Sequence, residues 1–145
     1  MSYQSNENAD QYKVARQELD ALWKRGLDFL GSQVAILGGA MSWVSERHLV
    51  SAISNAGGFG VIACGAMEPS MLEAEIIATQ SMTNKPFGVN LITMHPRLDE
   101  LIKVCLRLQV QHIVLAGGIP SANSIKTIKD GGAKVMGFAP ALVLA

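Results

Sequence analysis

A small-residue loop and one asparagine are the candidate ligand-binding features of this chain. Gly38, Gly39, Ala40 and Met41 directly follow an apolar run. Glycine has no β-carbon, so the backbone of such a turn can approach a flat ligand closely. Asn90 is a lone polar residue near the end of a later apolar run, and a buried carboxamide requires a hydrogen-bond partner. Together these features predict a site for a flat ligand that forms hydrogen bonds.

An alternation of apolar runs and helical segments must position these residues. The apolar runs are 34–37, 59–64, 87–92, 112–116 and 135–139, and the helical segments between them are 45–56, 69–82, 96–109 and 121–130. The runs are rich in Val and Ile and mostly do not alternate with polar residues, which is typical of parallel strands buried on both faces. Ser45, Pro69, Pro96 and Ser121 have the residue types of helix starts. The pattern predicts an α/β fold of repeated strand-helix units.

Small or polar residues follow every predicted strand. They are Gly38 to Met41, Gly65, Asn90, the pair Gly117 and Gly118, and Pro140. Any single glycine pair could be ordinary turn chemistry. Parallel strands all point the same way, however, so their carboxyl ends converge on the face where such folds bind ligands. The clustering therefore favours function for the set.

Composition limits the class of protein. The 145 residues are 49% hydrophobic and 17% charged, and twelve acidic residues balance twelve basic ones. A neutral chain without basic runs gives no reason to expect nucleic acid or an anionic membrane as a partner. No apolar stretch has membrane-spanning length, so we expect a cytoplasmic protein. Cys64 and Cys105 lie in apolar patterns and are expected to be buried thiols without a disulfide. No metal site is expected.

The first 30 residues form a separate segment. From Ala9 to Leu30, apolar residues recur at roughly helical spacing and predict an amphipathic leader helix. Such a helix can cover the bottom of the domain or bind a partner. The expected organisation is a leader over residues 1–30 and a βα domain over residues 31–145.

Four strings carry a family resemblance. They are ILGGAMSWVSERHLVSAISNAGGFGVIACG, KPFGVNLITMHP, HIVLAGGIPS and GGAKVMGFAPALVLA. The region from about Gly31 to Ala145 resembles the amino-terminal half of the nitronate monooxygenase family, formerly called 2-nitropropane dioxygenases. That family is related to FMN-dependent enoyl-acyl-carrier-protein reductases. The relative spacing of SNAGGFG and PFGVNL makes the resemblance specific.

The resemblance implies a (βα)₈ TIM barrel, of which only about the first five strands are present, with FMN across the carboxyl-end face. It implies that the turn of Gly39, Ala40 and Met41 lies against the flavin and that Asn90 is its amide ligand. A carboxamide can donate and accept along the pyrimidine edge of an isoalloxazine. The full set of expected cofactor-binding residues is Gly38, Gly39, Ala40, Met41, Asn90, Gly117 and Gly118.

The histidines are not expected to include the catalytic base. His95 follows the third strand on the loop side and could line the substrate pocket, whereas His48 is a solvated helix position and His112 lies at the opposite end. In the family the base is a His in a Gly-Gly-His-like motif beyond strand five, and the phosphate-binding loops follow strands seven and eight. This chain ends before both, so no catalytic residue and only weak FMN binding are expected of it alone.

The expected function is that of an FMN-dependent oxidoreductase that oxidises alkyl nitronates with dioxygen, truncated in this chain. The alternatives are an FMN-dependent enoyl-acyl-carrier-protein reductase and a non-catalytic half-barrel. An open flavodoxin-like sheet of order 2-1-3-4-5 is a further possibility, disfavoured because the first loop lacks the Ser and Thr that would hold phosphate. An open half-barrel exposes two strand edges, so self-association or a complementary half-barrel is also expected.

Overall fold

The computed structural model describes residues 4–139, with side chains from residue 11 onward; Pro140, the last of the predicted strand-end residues, lies outside this range. Helices and strands alternate after a long first helix. Their order is α1 (Gln4–Leu30), β1 (Leu37–Gly38), α2 (Arg47–Asn55), β2 (Phe59–Ala63), α3 (Pro69–Met82), β3 (Phe87–Ile92), α4 (Leu98–Arg107), β4 (His112–Ala116), α5 (Ala122–Asp130) and β5 (Lys134–Gly137).

The five strands form one parallel sheet in the order β1-β2-β3-β4-β5. Each strand pairs with the next one in the chain, which is the arrangement of a (βα)₈ barrel that is part-way round. The partial TIM-barrel prediction is confirmed. The flavodoxin-like order 2-1-3-4-5 is wrong, because β1 lies at an edge of the sheet and not between two strands.

The two faces of the sheet are covered differently. On the outer face, alternate strand residues such as Ile62, Leu91 and Ile113 pack against α2 to α5 in the larger core. The inner face carries the other set of strand residues. Its members include Phe59, Val61, Asn90, Val114 and Met136, as the strand register shows. We use "inner face" for this surface, which corresponds to the interior of a barrel.

The end of α1 covers the amino-terminal end of the inner face. Leu30 is buried with Phe59, and the His112 Nε2 atom lies 2.7 Å from the Phe29 carbonyl oxygen. The Phe29 and Phe59 rings both meet His112 edge-on, at centroid distances of 5.5 and 4.9 Å. One end of the half-barrel is therefore closed, and its opposite end holds the strand-end loops.

Several predicted boundaries differ from the structure. β1 has two residues instead of the expected run 34–37, because the Gln33 and Val34 amides donate to the Gly57 carbonyl before the strand ladder begins. β5 begins at Lys134, and α4 begins at Leu98, after Pro96. Among the described helices, none combines the length and apolar character needed to cross a bilayer.

The start of α2 is also corrected. Its N-cap is Glu46, whose carboxylate accepts from the His48 and Leu49 amides, and not Ser45. The Ser45 hydroxyl is engaged elsewhere, in the preceding loop. The predicted starts of α3 and α5 are confirmed, with Pro69 in the first turn and the Ser121 hydroxyl accepting from the Ser124 amide.

Candidate functional site

Asn90 is the central polar residue of the inner face. It pairs with Ala63 on one side and Val114 on the other, and it is 9% exposed. Its carboxamide makes no hydrogen bond to any residue in the described part of the chain. A largely buried carboxamide between two apolar neighbours is costly unless something satisfies it. The geometry therefore leaves two donors and an acceptor available to a ligand on the inner face.

The loop between β1 and α2 is held in shape by Ser45. The buried Ser45 hydroxyl donates to the Gly39 carbonyl at 2.9 Å and accepts from the Met41 amide at 3.0 Å. The Ser45 carbonyl in turn accepts from the Ala63 amide on β2. These contacts tie the loop to the strand beside Asn90 and leave it exposed, with open space where a Gly39 side chain would lie.

Gly38 differs from the other residues of this loop. A β-carbon at Gly38 would lie 2.4 Å from the Ile53 side chain on α2, so this glycine faces the outer helices. The absence of a side chain at Gly38 allows Ile53 of α2 to pack closely against β1. Gly39, Ala40 and Met41 are the loop residues that remain open to solvent. Their contact with a flavin stays a prediction.

The loops after β3 and β4 lie against each other. Gly117 and Gly118 have φ angles of 83° and 158°, which residues with side chains rarely adopt. A β-carbon at Gly118 would lie 2.9 Å from the Thr93 hydroxyl oxygen, and that buried oxygen has no hydrogen-bond partner among the described residues. The pair of glycines therefore keeps the backbone close to the end of β3.

His95 is the histidine at this end of the sheet. It follows β3, and its Nδ1 atom accepts from the Arg97 amide at 3.1 Å. His48 is exposed on α2, and His112 lies at the amino-terminal end of β4, as the sequence predicted. His95 is thus placed where a substrate could meet it, but a role in the substrate pocket stays a prediction.

Arg97 neutralises the acidic residues beside His95. Its guanidinium contacts the carboxylates of Glu68 and Glu100, and the hydrogen bond from Arg97 lowers the pKa of Glu100. Because both carboxylates are occupied, neither is a free general base at the mouth of the site. Among the described residues, no group of three His, Cys, Asp or Glu side chains could hold a metal ion.

Both cysteines are free and buried, as predicted. Burial raises the pKa of Cys64 to about 11 and that of Cys105 to about 12. Nucleophilic chemistry requires the thiolate, so these thiols are packing residues of the outer core.

Sequence reasoning missed two residues of this end of the sheet. The sequence pattern predicts that Ser45 caps a helix, although its place four residues after Met41 also allows it to close the loop. No sequence pattern indicates Thr93, since a threonine after an apolar run is common in turns. Its burial beneath the loop after β4 depends on residues more than twenty positions away.

Comparison with known proteins gives the family. The nitronate monooxygenase family model matches residues 24–145. The chain belongs to the nitronate monooxygenase family. The match includes the loop of Gly39 to Met41, Asn90 and the two glycines after β4, which are the features that the structure brings to one end of the sheet.

Curated relatives of this nitronate monooxygenase family chain have two kinds of name. A Mycobacterium tuberculosis protein named (3aS,4S,5R,7aS)-5-hydroxy-7a-methyl-1-oxo-octahydro-1H-indene-4-carboxyl-CoA dehydrogenase is 32% identical over 111 residues, which are 75% of this chain and 30% of that protein. The nitronate monooxygenase of Paraburkholderia phytofirmans is 36% identical over 78 residues, which are 53% of this chain and 21% of that enzyme. The chain spans less than a third of either relative.

Solved structures give the same fold. FabK from Thermotoga maritima superposes with a TM-score of 0.79 and 38% identity, over 83% of this chain and 38% of FabK. The family assignment and the partial barrel thus agree, since the five-stranded sheet corresponds to part of a longer oxidoreductase.

Proposed function

We propose that this chain forms the flavin-ring side of an FMN-dependent oxidoreductase of the nitronate monooxygenase type, which oxidises alkyl nitronates with dioxygen. The observation that carries the proposal is the unpartnered Asn90 carboxamide on the inner face, beside an exposed small-residue loop. Family membership supports it. A cytoplasmic location fits two buried, unbridged cysteines.

The residues present fit an isoalloxazine ring. Asn90 can donate and accept at the pyrimidine edge, and the loop held by Ser45 offers backbone at Gly39 and Ala40 without a side chain that would prevent close approach. Met41 adds an apolar, polarisable surface. Bound FMN would supply the redox chemistry between nitronate and dioxygen. The protein's own part is to orient the ring and to exclude water from its inner side through Val61, Ala63 and Val114.

No residue described here is positioned as a strong base for a neutral nitroalkane. The carboxylates beside His95 pair with Arg97, and by resemblance the family base is none of the three histidines. A positioned base is worth about 10²–10⁴ in rate. A preformed nitronate does not need that proton removed, so the nitronate is the substrate expected to be oxidised.

The role of Asn90 is tested by measuring flavin binding. The chain would be titrated with FMN by fluorescence, and Asn90→Leu compared with Asn123→Leu, which changes an exposed asparagine on α5. Asn90→Leu is expected to weaken FMN binding by roughly tenfold or more, since one good polar contact is worth about 1.4 kcal/mol. Equal FMN binding by wild type and Asn90→Leu would contradict the assigned role of Asn90.

The enoyl-acyl-carrier-protein reductase reaction is the second candidate. It is favoured by the 38% identity to FabK, which is such a reductase, over most of this chain. Nicotinamide dependence separates the two. Oxygen uptake with nitronate and without NADH or NADPH supports the monooxygenase, whereas turnover of an enoyl thioester that requires either nucleotide supports the reductase.

A further inference from the structure

A second cavity lies at the end of the sheet opposite the proposed flavin site. It is bounded by the end of α1, the loops that precede β3 and β4, and the first residues of β4 and β5. Its volume is about 420 Å³, which lies in the range of about 300–1,000 Å³ typical of small-molecule pockets. The proposed oxidoreductase function does not use this cavity.

The charge on the cavity wall has one sign. Lys85 and Lys134 line it, and none of the described lining residues is acidic, although the chain as a whole is neutral. The Lys85 ammonium has no partner among the described residues. The Lys134 ammonium contacts the Phe29 carbonyl and lies 5.0 Å from the centroid of the Phe29 ring, which holds it in place. An ammonium has three donors, so both lysines can still bind an anion.

His112 is a buried residue of the same wall. The imidazole is 2% exposed, and its Nε2 atom lies 2.7 Å from the Phe29 carbonyl oxygen, which can only accept. In the neutral ring Nε2 therefore carries the hydrogen, and Nδ1 remains an acceptor. Nδ1 has no partner among the described residues. The Nδ1 atom is enclosed by the protein, so the neutral ring adds an uncharged wall and not a ligand contact.

Carboxamides complete the polar lining. Asn84, Gln109 and Gln111 border the cavity, and none of these side chains forms a hydrogen bond within the described part of the chain. Gln109 has a φ angle of 57°, a conformation that favours glycine. This conformation ends α4, since Gln109 follows the C-cap Leu108.

From these observations we propose that the cavity binds a small hydroxylated molecule with an oxyanion head. Lys85 and Lys134 bind the anionic group, which is a phosphate or a carboxylate, and the carboxamides bind the polar body. The ligand is thus a phosphomonoester or a hydroxycarboxylate. It occupies a site separate from the flavin, so its binding stands or falls independently of the proposed oxidoreductase function.

The test is an NMR titration of the 145-residue chain at constant ionic strength. The probes are inorganic phosphate, glycerol 3-phosphate and malate. Saturable shifts are expected for the amides of residues 83–87 and 109–112 and for the ring of His112, with no change at the exposed ring of His48. Tighter binding of glycerol 3-phosphate identifies a phosphomonoester ligand, and tighter binding of malate identifies a hydroxycarboxylate.

Matched lysine variants exclude a general charge effect. Lys85→Gln is expected to weaken binding roughly tenfold, as loss of one charge-assisted contact would, whereas Lys129→Gln on the exposed side of α5 should leave it unchanged. Both lysines are exposed, so neither change should unfold the chain. The proposal is overturned if none of the probes gives saturable shifts in these segments, or if both variants weaken binding equally.

Discussion

Asn90 has a largely buried carboxamide and Thr93 a buried hydroxyl, neither of which has a hydrogen-bond partner in the described part of the chain, and both lie at the end of β3 that faces the loops. An unpaired buried group lowers the stability of the free protein, by about 1–3 kcal/mol when a partner has been lost. Such groups are therefore expected where a bound ligand supplies the missing hydrogen bonds. At the residue scale, replacing Asn90 should therefore weaken ligand binding without lowering the stability of the fold.

Asn90→Leu tests this separation through stability alone. Leucine has a similar size and removes a carboxamide that has no protein partner, so the free energy of unfolding in urea should stay the same or rise by up to about 1 kcal/mol. Asn123→Leu, on the exposed surface, should change it by less than about 0.5 kcal/mol. A loss of more than about 2 kcal/mol in Asn90→Leu would show that the carboxamide supports the fold itself.

The two cysteines give a second residue-scale prediction. Because burial raises the pKa of Cys64 to about 11 and of Cys105 to about 12, neither thiol should react with Ellman's reagent in the folded protein at pH 8. Both should react in urea. Ser81→Cys places a thiol on an exposed helix position and serves as the positive control. Rapid reaction of the native wild-type chain would contradict the packing described for both thiols.

At the scale of elements, the close approach of α2 to β2 depends on one glycine. A β-carbon at Gly60 would lie 2.4 Å from the Val50 carbonyl oxygen, and this obstacle is helix backbone and not a movable side chain. α2 is held further by Arg47, whose guanidinium and backbone amide both donate to Glu75 on α3. The position of α2 therefore depends on its contacts with β2 and with α3. The loop held by Ser45 precedes α2 and depends on the same contacts.

Gly60→Ala should be strongly destabilising. Because α2 would have to move away from the sheet, a loss of about 3 kcal/mol in unfolding free energy is expected, at the upper end of overpacking costs. Gly39→Ala is the matched control, since the same added carbon meets no atom within 4 Å. Thermal unfolding followed by circular dichroism compares the two, and equal melting temperatures would be inconsistent with the packing of α2.

At the scale of the whole molecule, closure of the amino-terminal end of the sheet joins α1 to the last two strands. His112 on β4 and Lys134 on β5 both contact the Phe29 carbonyl at the end of α1. These contacts join residues 83 and 105 positions apart. They make the closed end of the half-barrel sensitive to the charge of one imidazole.

Stability should fall in mild acid because of His112. Burial lowers the pKa of His112 below its ordinary value of about 6.5, so the unfolded chain binds the proton more readily than the folded one. The stabilising effect of the neutral His112 on the folded chain is fully present above a pH of about 6.5 and is lost as the pH falls below that value. Unfolding free energies at pH 5 and 7.5 should differ less in His112→Gln than in the wild type, whereas His48→Gln should retain the difference.

Exposed edges give a prediction about association. β1 and β5 each have only one strand partner in the described sheet, and Leu37 and Phe138 are exposed beside them. Unpaired parallel edges with apolar side chains favour pairing with another chain. Self-association or a complementary half-barrel is therefore proposed for the 145-residue chain.

Sedimentation velocity measures the association. Leu37→Lys should shift the chain toward the monomer, because a charge on an edge strand opposes pairing. Leu22→Lys is the control, since Leu22 is 80% exposed and belongs to α1 and not to an edge strand. A monomeric wild type would contradict self-association.

Sequence alone was sufficient for the elements and the family. Apolar runs such as 87–92, buried on both sides, predict parallel strands, and strands that point one way place Gly39 and Asn90 at the same end. These properties depend on residues that are near one another in the chain. The resemblance carried by SNAGGFG and PFGVNL was confirmed by the family match.

Tertiary structure decided the remaining features, because they depend on residues distant in sequence. β1 is shorter than its apolar run because the Gly57 carbonyl accepts from the Gln33 and Val34 amides, which precede the strand. Whether a serine caps a helix or closes a loop depends on which amides come within reach, and Ser45 reaches Met41. The unpartnered state of Asn90 and the contact of His112 with Phe29 are likewise set by packing across the sheet, which local sequence patterns do not encode.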